Sequence, residues 1–171
     1  MALVSFVPVT EEHRDLLRRW LAAPHARAWW DDPQTELDGI YDNAAEHKPF
    51  IALLNDDAVA YVQSWRPTNH PDYPWQHGMD AGTRGIDITI GEAGNLNRGI
   101  GTLILKHFAA KLFAEGASRL VIDPDMRNER AIACYMKAGF TPYDSYEQDG
   151  GTSLLMELLP QDFDYGFGYR S

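Results

Sequence analysis

Six residues, Asn97-Arg98-Gly99-Ile100-Gly101-Thr102, stand between a strand-like run from Arg84 to Gly91 and a helix-like run from Gly101 to Glu115. Two glycines one residue apart let a backbone approach a ligand closely, and a helix starting beside them aims unpaired N–H groups and a positive dipole end at an anion. Arg98 adds a full positive charge. Glycines also serve ordinary turns and caps, so the pair alone reads first as a plain strand-to-helix turn, and context must raise it to a phosphate cradle. It is not a Walker loop, which ends in Gly-Lys-Ser/Thr. Nor is it a dinucleotide fingerprint, whose third glycine would fall where this chain has Ile104. A different phosphate-bearing ligand is indicated.

The 171 residues predict a single domain, 1–171, able to bury a core without disulfides or metals. A single cysteine, Cys134, excludes an intramolecular disulfide framework and fits a reducing compartment. The N-terminus turns acidic before a signal-type apolar stretch develops, and no run reaches the ~20 apolar residues of a spanning helix. A soluble, cytoplasmic protein without membrane contact is therefore expected. The net charge of −10 argues against nucleic acid and fits either a cationic partner or a merely solvated acidic surface.

Along the chain, Leu3 to Val9 alternates as a first strand. Thr10 then caps a helix whose stripe is Leu16, Leu17, Trp20 and Leu21. Trp29 and Trp30 are adjacent indoles that cannot both face one core from a regular helix, so one lines a pocket or both pack under a loop. A second helix starts with Pro33 at its first position and is expected to run to about His47. Phe50 to Leu54 and Ala58 to Trp65 form a hairpin across Asn55-Asp56-Asp57. Pro67 to Thr83 has no periodicity and reads as a functional loop, with His70 and His77 as loop histidines rather than metal ligands; no metal site is expected.

Ile86, Ile88 and Ile90 alternate with Asp87 and Thr89, which leave the core face. Aspartate is depleted in strands, so Asp87 is either functional or a solvated edge residue. Ile100, Leu103, Ile104, Phe108 and Leu112 make the buried stripe of the following helix. Arg119 to Asp123 is a short strand ending in Asp123-Pro124-Asp125, and a helix runs from Asn128 to Gly139 with Asn128, Ile132 and Tyr135 on one face. A last hairpin, Phe140 to Tyr146 and Thr152 to Leu158, precedes a tail, 160–171, expected to be loosely held.

This element order, together with RGIGT and NERAIACYMKAGF, resembles the GNAT superfamily of acyl-CoA-dependent N-acyltransferases over nearly the whole chain. Within it, LRRWL, HARAWW, YVQSW, TRGIDITIG and IDPDMRNERAIACYMKAGF look like the aminoglycoside 6'-N-acetyltransferases. The resemblance implies an α/β (α+β) fold, a mixed, mostly antiparallel central sheet flanked by helices. It also implies acetyl-CoA as cofactor and a cationic small molecule as substrate, with a monomer or homodimer as the assembly. The coenzyme A set would be Ile88, Asn97, Arg98, Gly99, Ile100, Gly101, Thr102, Asn128, Ala131 and Tyr135. Asp87 would serve as base, directly or through water, and Tyr135 as acid toward the thiolate; Trp29, Trp30, Tyr73, Trp75, Asp87, Asp123 and Asp125 would meet the substrate. One departure stands out. The superfamily usually carries Arg or Gln where this chain has Leu96, which weakens coenzyme binding without abolishing it, because most contacts come from backbone N–H groups.

The chemistry agrees independently. An amine attacks a thioester only as the free base, so a carboxylate that takes or relays its proton is worth ~10² to 10⁴ in rate. A departing thiolate of pKa ~8.5 gains from a hydroxyl donor, a role for Tyr135, which otherwise reads as a helix-packing aromatic. Direct transfer needs no nucleophile, so Cys134 reads as a buried structural thiol. The alternatives are a siderophore hydroxylamine or protein N-acyltransferase, and a non-catalytic acyl-CoA-binding module.

Overall fold

Eleven of twelve helices and strands follow the expected order in the computed structural model, which describes residues 2–72, 76–148 and 150–167; the short helix at Pro24–Arg27 was not expected. They are β1 (Val4–Pro8), α1 (Arg14–Ala22), α2 (Pro24–Arg27), α3 (Pro33–Asp42), β2 (Pro49–Leu54), β3 (Asp57–Trp65), β4 (Thr83–Ile90), α4 (Ile100–Ala114), β5 (Arg119–Ile122), α5 (Glu129–Ala138), β6 (Thr141–Gln148) and β7 (Gly151–Leu158). The sheet has the order β1-β2-β3-β4-β5-β7-β6. Its β1–β2, β2–β3, β5–β7 and β6–β7 pairs are antiparallel, and β4–β5 is parallel, with Thr83–Gly85 facing Arg119–Val121. This is the mixed, mostly antiparallel sheet that the sequence implied.

The chain forms two compact units, Met1–Ser64 with Asp87–Ile104, and Trp65–Ile86 with Leu105–Ser171. In the first, Leu17, Trp20 and Leu21 of α1 pack with Leu37 and Ile40 of α3 and with Ile51 and Tyr61 of the hairpin. Each such side chain, fully buried, contributes ~1.5–3 kcal/mol, enough to hold two short helices against the strands. Asp32 caps α3 by accepting from the Thr35 N–H (3.0 Å), with Pro33 pre-set at the first position. The β2–β3 hairpin closes through Asn55 (φ 51°) and Asp56 (φ 70°), two positive-φ residues that match the twist of the flanking strands.

Several expectations need correction. α3 ends at Asp42 rather than near His47, because the Asn43 side chain donates to the Gly39 carbonyl (3.0 Å) and competes with helix continuation. Thr10 introduces a 3₁₀ turn, Glu11–His13, before α1, and its N–H donates to His13 Nδ1 (3.0 Å). On β4, Thr89 is buried while Ile88 and Ile90 are half-buried, so the strand is covered on both faces, as an interior strand of a sheet is. Leu103 is half-buried rather than core, and Cys134 is likewise half-buried.

In the second unit, α4 supplies the buried Leu105, Phe108 and Leu112, and β5 and β7 bury Leu120, Val121, Leu155, Met156 and Leu158. The described part of the segment after β7, 160–167, is not loose. Phe163 is buried, 5.5 Å from the Phe113 ring, 4.7 Å from Tyr165 and 5.6 Å from Phe167, and Phe167 meets His107 edge-on at 5.0 Å. Phe163 and the half-buried Phe167 gave the segment apolar area to bury after all, while Tyr165 stays exposed. Tyr73 and Trp75 lie outside the described residues.

Candidate active site

The glycine turn leads from β4 to the start of α4. Asn97 (φ 57°) and Gly99 (φ 76°) both take left-handed backbone conformations, which Asn tolerates and Gly adopts without cost. Asn97, Arg98 and Gly99 are exposed, and a Cβ on Gly99 would meet no atom within 4 Å. The first intrahelical bond runs from the Leu103 N–H to the Gly99 carbonyl (3.0 Å), so Ile100, Gly101 and Thr102 occupy the helix's first turn, where N–H groups lack intrahelical acceptors. An open approach, a bend and a set of N–H donors at a helix start suit a diphosphate. Ile88, also assigned to the coenzyme, is half-buried in β4.

Asp87 stands on β4, half-buried, and its Oδ2 accepts from Gln63 Nε2 at 2.7 Å. Gln63 Oε1 in turn accepts from the Tyr61 hydroxyl at 2.5 Å. Tyr61 is wholly buried, and Trp30 meets its ring edge-on at 6.2 Å. Burial, with the Asp87 and Glu36 charges behind it, pushes the Tyr61 phenol well above its ordinary pKa, so the hydroxyl stays a neutral donor. Glu36 of α3 is also raised, first by burial and then by the Asp31 and Asp87 charges, while the Asp31 N–H (3.2 Å) pulls it down. A solvated edge position is thus excluded for Asp87. The indoles separate as their adjacency demanded: Trp29 is 40% exposed, and Trp30 packs against the core.

The remaining candidates belong to the second unit. Asn128 caps α5 by accepting from the Ala131 N–H (3.2 Å), and Gly139 (φ 108°) ends the helix. Tyr135 is buried on α5, and Ala131 is half-buried in its first turn. Asp123 is half-buried. Asp125 is already engaged. Its Oδ1 accepts from the Arg127 N–H (2.8 Å) and Nε (2.9 Å), and its Oδ2 accepts from Nη2 (2.6 Å). These bonds, the side-chain ones foremost, pull its carboxyl down to about 2.

Residues 9–147 match the acetyltransferase (GNAT) domain model. The chain belongs to the GNAT acetyltransferase family. It is 30% identical over 166 residues, 91% of this chain and 83% of the relative, to an aminoglycoside N(6')-acetyltransferase type 1 from Klebsiella pneumoniae. It is similar in fold, at 28% identity and a TM-score of 0.85, to a structure of AAC(6')-Ib in complex with paromomycin and acetyl-CoA, over 98% of this chain and 99% of that one. A structure of AAC(6')-Ib with coenzyme A and kanamycin gives 29% identity and a TM-score of 0.84, over 94% and 96% of the two chains.

Sequence reasoning about this acetyltransferase missed Tyr61, Gln63 and Glu36. The signal was present in β3, where Tyr61 and Gln63 share a face at period two and place a polar amide in an otherwise buried run. A buried amide needs partners, and that need pointed to a polar neighbour on the next strand.

Proposed function

We propose that this acetyltransferase transfers acetyl from acetyl-CoA to the 6'-amine of an aminoglycoside. The observation that carries this reading is the 30% identity, spread over 91% of the chain, with a relative named for that activity. Net charge of −10 supports a polycationic substrate, since it favours encounter with cations. We keep the single-domain expectation, because all three crossings between the compact units fall inside continuous elements, β3, β4 and α4, rather than in a linker.

The thioester supplies an activated acyl group. In this reading the first-turn N–H groups of α4, with the Asn97–Gly99 bend, hold the diphosphate; Asn128 and Ala131 on α5 take the pantetheine arm, and Ile88 on β4 is a further coenzyme contact. Asp87 accepts the proton that the amine must lose, directly or through one water, as nitrogen bonds to the acyl carbon and the carbon–sulfur bond breaks. Tyr135 donates its hydroxyl proton to the departing sulfur. Trp29, Trp30 and the 67–83 loop, including Tyr73 and Trp75, shape the sugar's surroundings, and Asp123 and Asp125 add negative charge. The Arg127 clamp already engages both oxygens of Asp125.

Coenzyme A release with kanamycin, tobramycin, a 6'-hydroxyl aminoglycoside, polyamines and a basic peptide tests the proposal. Turnover is expected with the 6'-amino compounds alone, and Asp87→Asn is expected to lose ~10² to 10⁴ in kcat. Turnover of a peptide or polyamine in place of the aminoglycosides would overturn the substrate assignment.

A further inference from the structure

We infer that Tyr61 is a positioning residue that holds Asp87 through Gln63, by anchoring the oxygen end of the amide whose NH₂ end the carboxylate takes. The inference rests on the reading of Asp87 as the base. An ionised carboxylate only accepts, so Gln63 must present its NH₂ group to Asp87, as it does at 2.7 Å. A primary amide can turn end for end at little intrinsic cost, and its oxygen would then oppose the carboxylate oxygen at the same distance. The carboxylate itself opposes this turn, and the other end of the amide adds a second restraint. Gln63 Oε1 receives the Tyr61 hydroxyl at 2.5 Å, in a place where Tyr61 is 0% and Gln63 9% exposed. Turned over, the amide would aim its NH₂ group at the hydroxyl and leave a buried oxygen facing a carboxylate, an arrangement burial makes expensive.

The phenol is itself fixed. Its ring belongs to the α1–α3 core, Trp30 packs on its edge, and the hydroxyl stays protonated at working pH. The line Tyr61 to Gln63 to Asp87 therefore transmits the rigidity of the core to the side chain that must meet the amine, and a base loses effectiveness when its lone pair wanders. Among the described residues, the charged and titratable groups that act on this line include Glu36 on α3, with Asp31 beyond it, and Tyr41 near Tyr61. Removing one hydroxyl changes none of them.

The test uses Tyr61→Phe, Gln63→Leu, the double variant and Asp87→Asn, each checked for folding by its thermal midpoint, with kcat and KM followed against pH. Asp87→Asn identifies the acidic limb of kcat by removing it. Gln63→Leu removes the amide donor that favours the charged carboxylate and Tyr61→Phe frees the other end of that amide, so Tyr61→Phe is expected to move that limb upward by about one pH unit and lower plateau kcat about tenfold, with KM for the aminoglycoside little changed. Because Tyr61 acts through Gln63, the double variant is expected to match Gln63→Leu. A limb left in place by Tyr61→Phe in a folded protein, or additive shifts in the double variant, would overturn the inference. Retention of the limb in Asp87→Asn would instead overturn the base assignment, so the two failures are distinguishable.

Discussion

Gly91 lies against the face of Trp20 so closely that a Cβ on the glycine would sit 2.1 Å from the indole Cε2. The contact joins the end of β4 to α1, and the Gly91 N–H also bonds to the Val59 carbonyl at 2.9 Å. Trp20 is 1% exposed, so it has no room to retreat. Gly91→Ala should destabilise the fold by about 1–3 kcal/mol through overpacking, read as a lower urea midpoint at unchanged m-value. Gly94→Ala, where nothing lies within 4 Å, should leave the midpoint almost unmoved and so controls for the change of residue type.

The tail that follows β7 contributes to the core. Phe163→Ala removes a buried ring from contact with Phe113, Tyr165 and Phe167, and a loss of about 3 kcal/mol is expected. Equilibrium denaturation measures it. A change below about 0.5 kcal/mol, the size of an ordinary surface substitution, would show that the segment does not pack in solution.

These two sites show what the sequence made legible. The turn at Asn97–Gly101 and the start of α3 at Asp32-Pro33 were readable because a backbone conformation or a cap restricts the residue type at the position itself. Asp87 stood out because an acid is unusual in mid-strand. Tyr61 did not, since its hydroxyl has meaning only against Gln63 and Asp87, and YVQSW by itself reads as a buried strand with one polar interruption. The tail failed for the same reason: Phe163 looks idle until Phe113, on another element, is beside it. Properties of one position were legible, whereas properties of a pair distant in sequence were not.

Leu96 offers a gain-of-affinity test. It takes an extended conformation (φ −69°, ψ 151°) open to any residue, is half-buried, and precedes the exposed Asn97. Replacement by glutamine adds one hydrogen-bonding side chain beside the proposed diphosphate cradle, and a net bond of ~0.5–1.5 kcal/mol corresponds to about a two- to tenfold lower KM for acetyl-CoA. The aminoglycoside KM should stay constant. Initial rates at varied acetyl-CoA decide it, and a KM equal to that of Leu96→Ala would mean that this position does not face the coenzyme.

Asp125 and Arg127 set a pH dependence whose sign follows from the direction of the shift. The folded carboxyl lies at about 2, below the ~3.9 of an unfolded aspartate, so the folded state favours the charged form. The resulting stabilisation is complete above the unfolded value and is lost as pH falls from about 4 through about 2. Arg127 is 69% exposed at its side chain, and solvent screening keeps the pair's contribution to stability small. Asp125→Asn should therefore be slightly less stable than wild type at pH 6 and indistinguishable from it near pH 2. Carboxyl NMR titration is the sharper measurement, with Asp125 expected to titrate near 2 in wild type and closer to 4 in Arg127→Ala. If it titrates near 4 in both, the clamp is not formed in solution, and Asp125 is available to a cationic substrate.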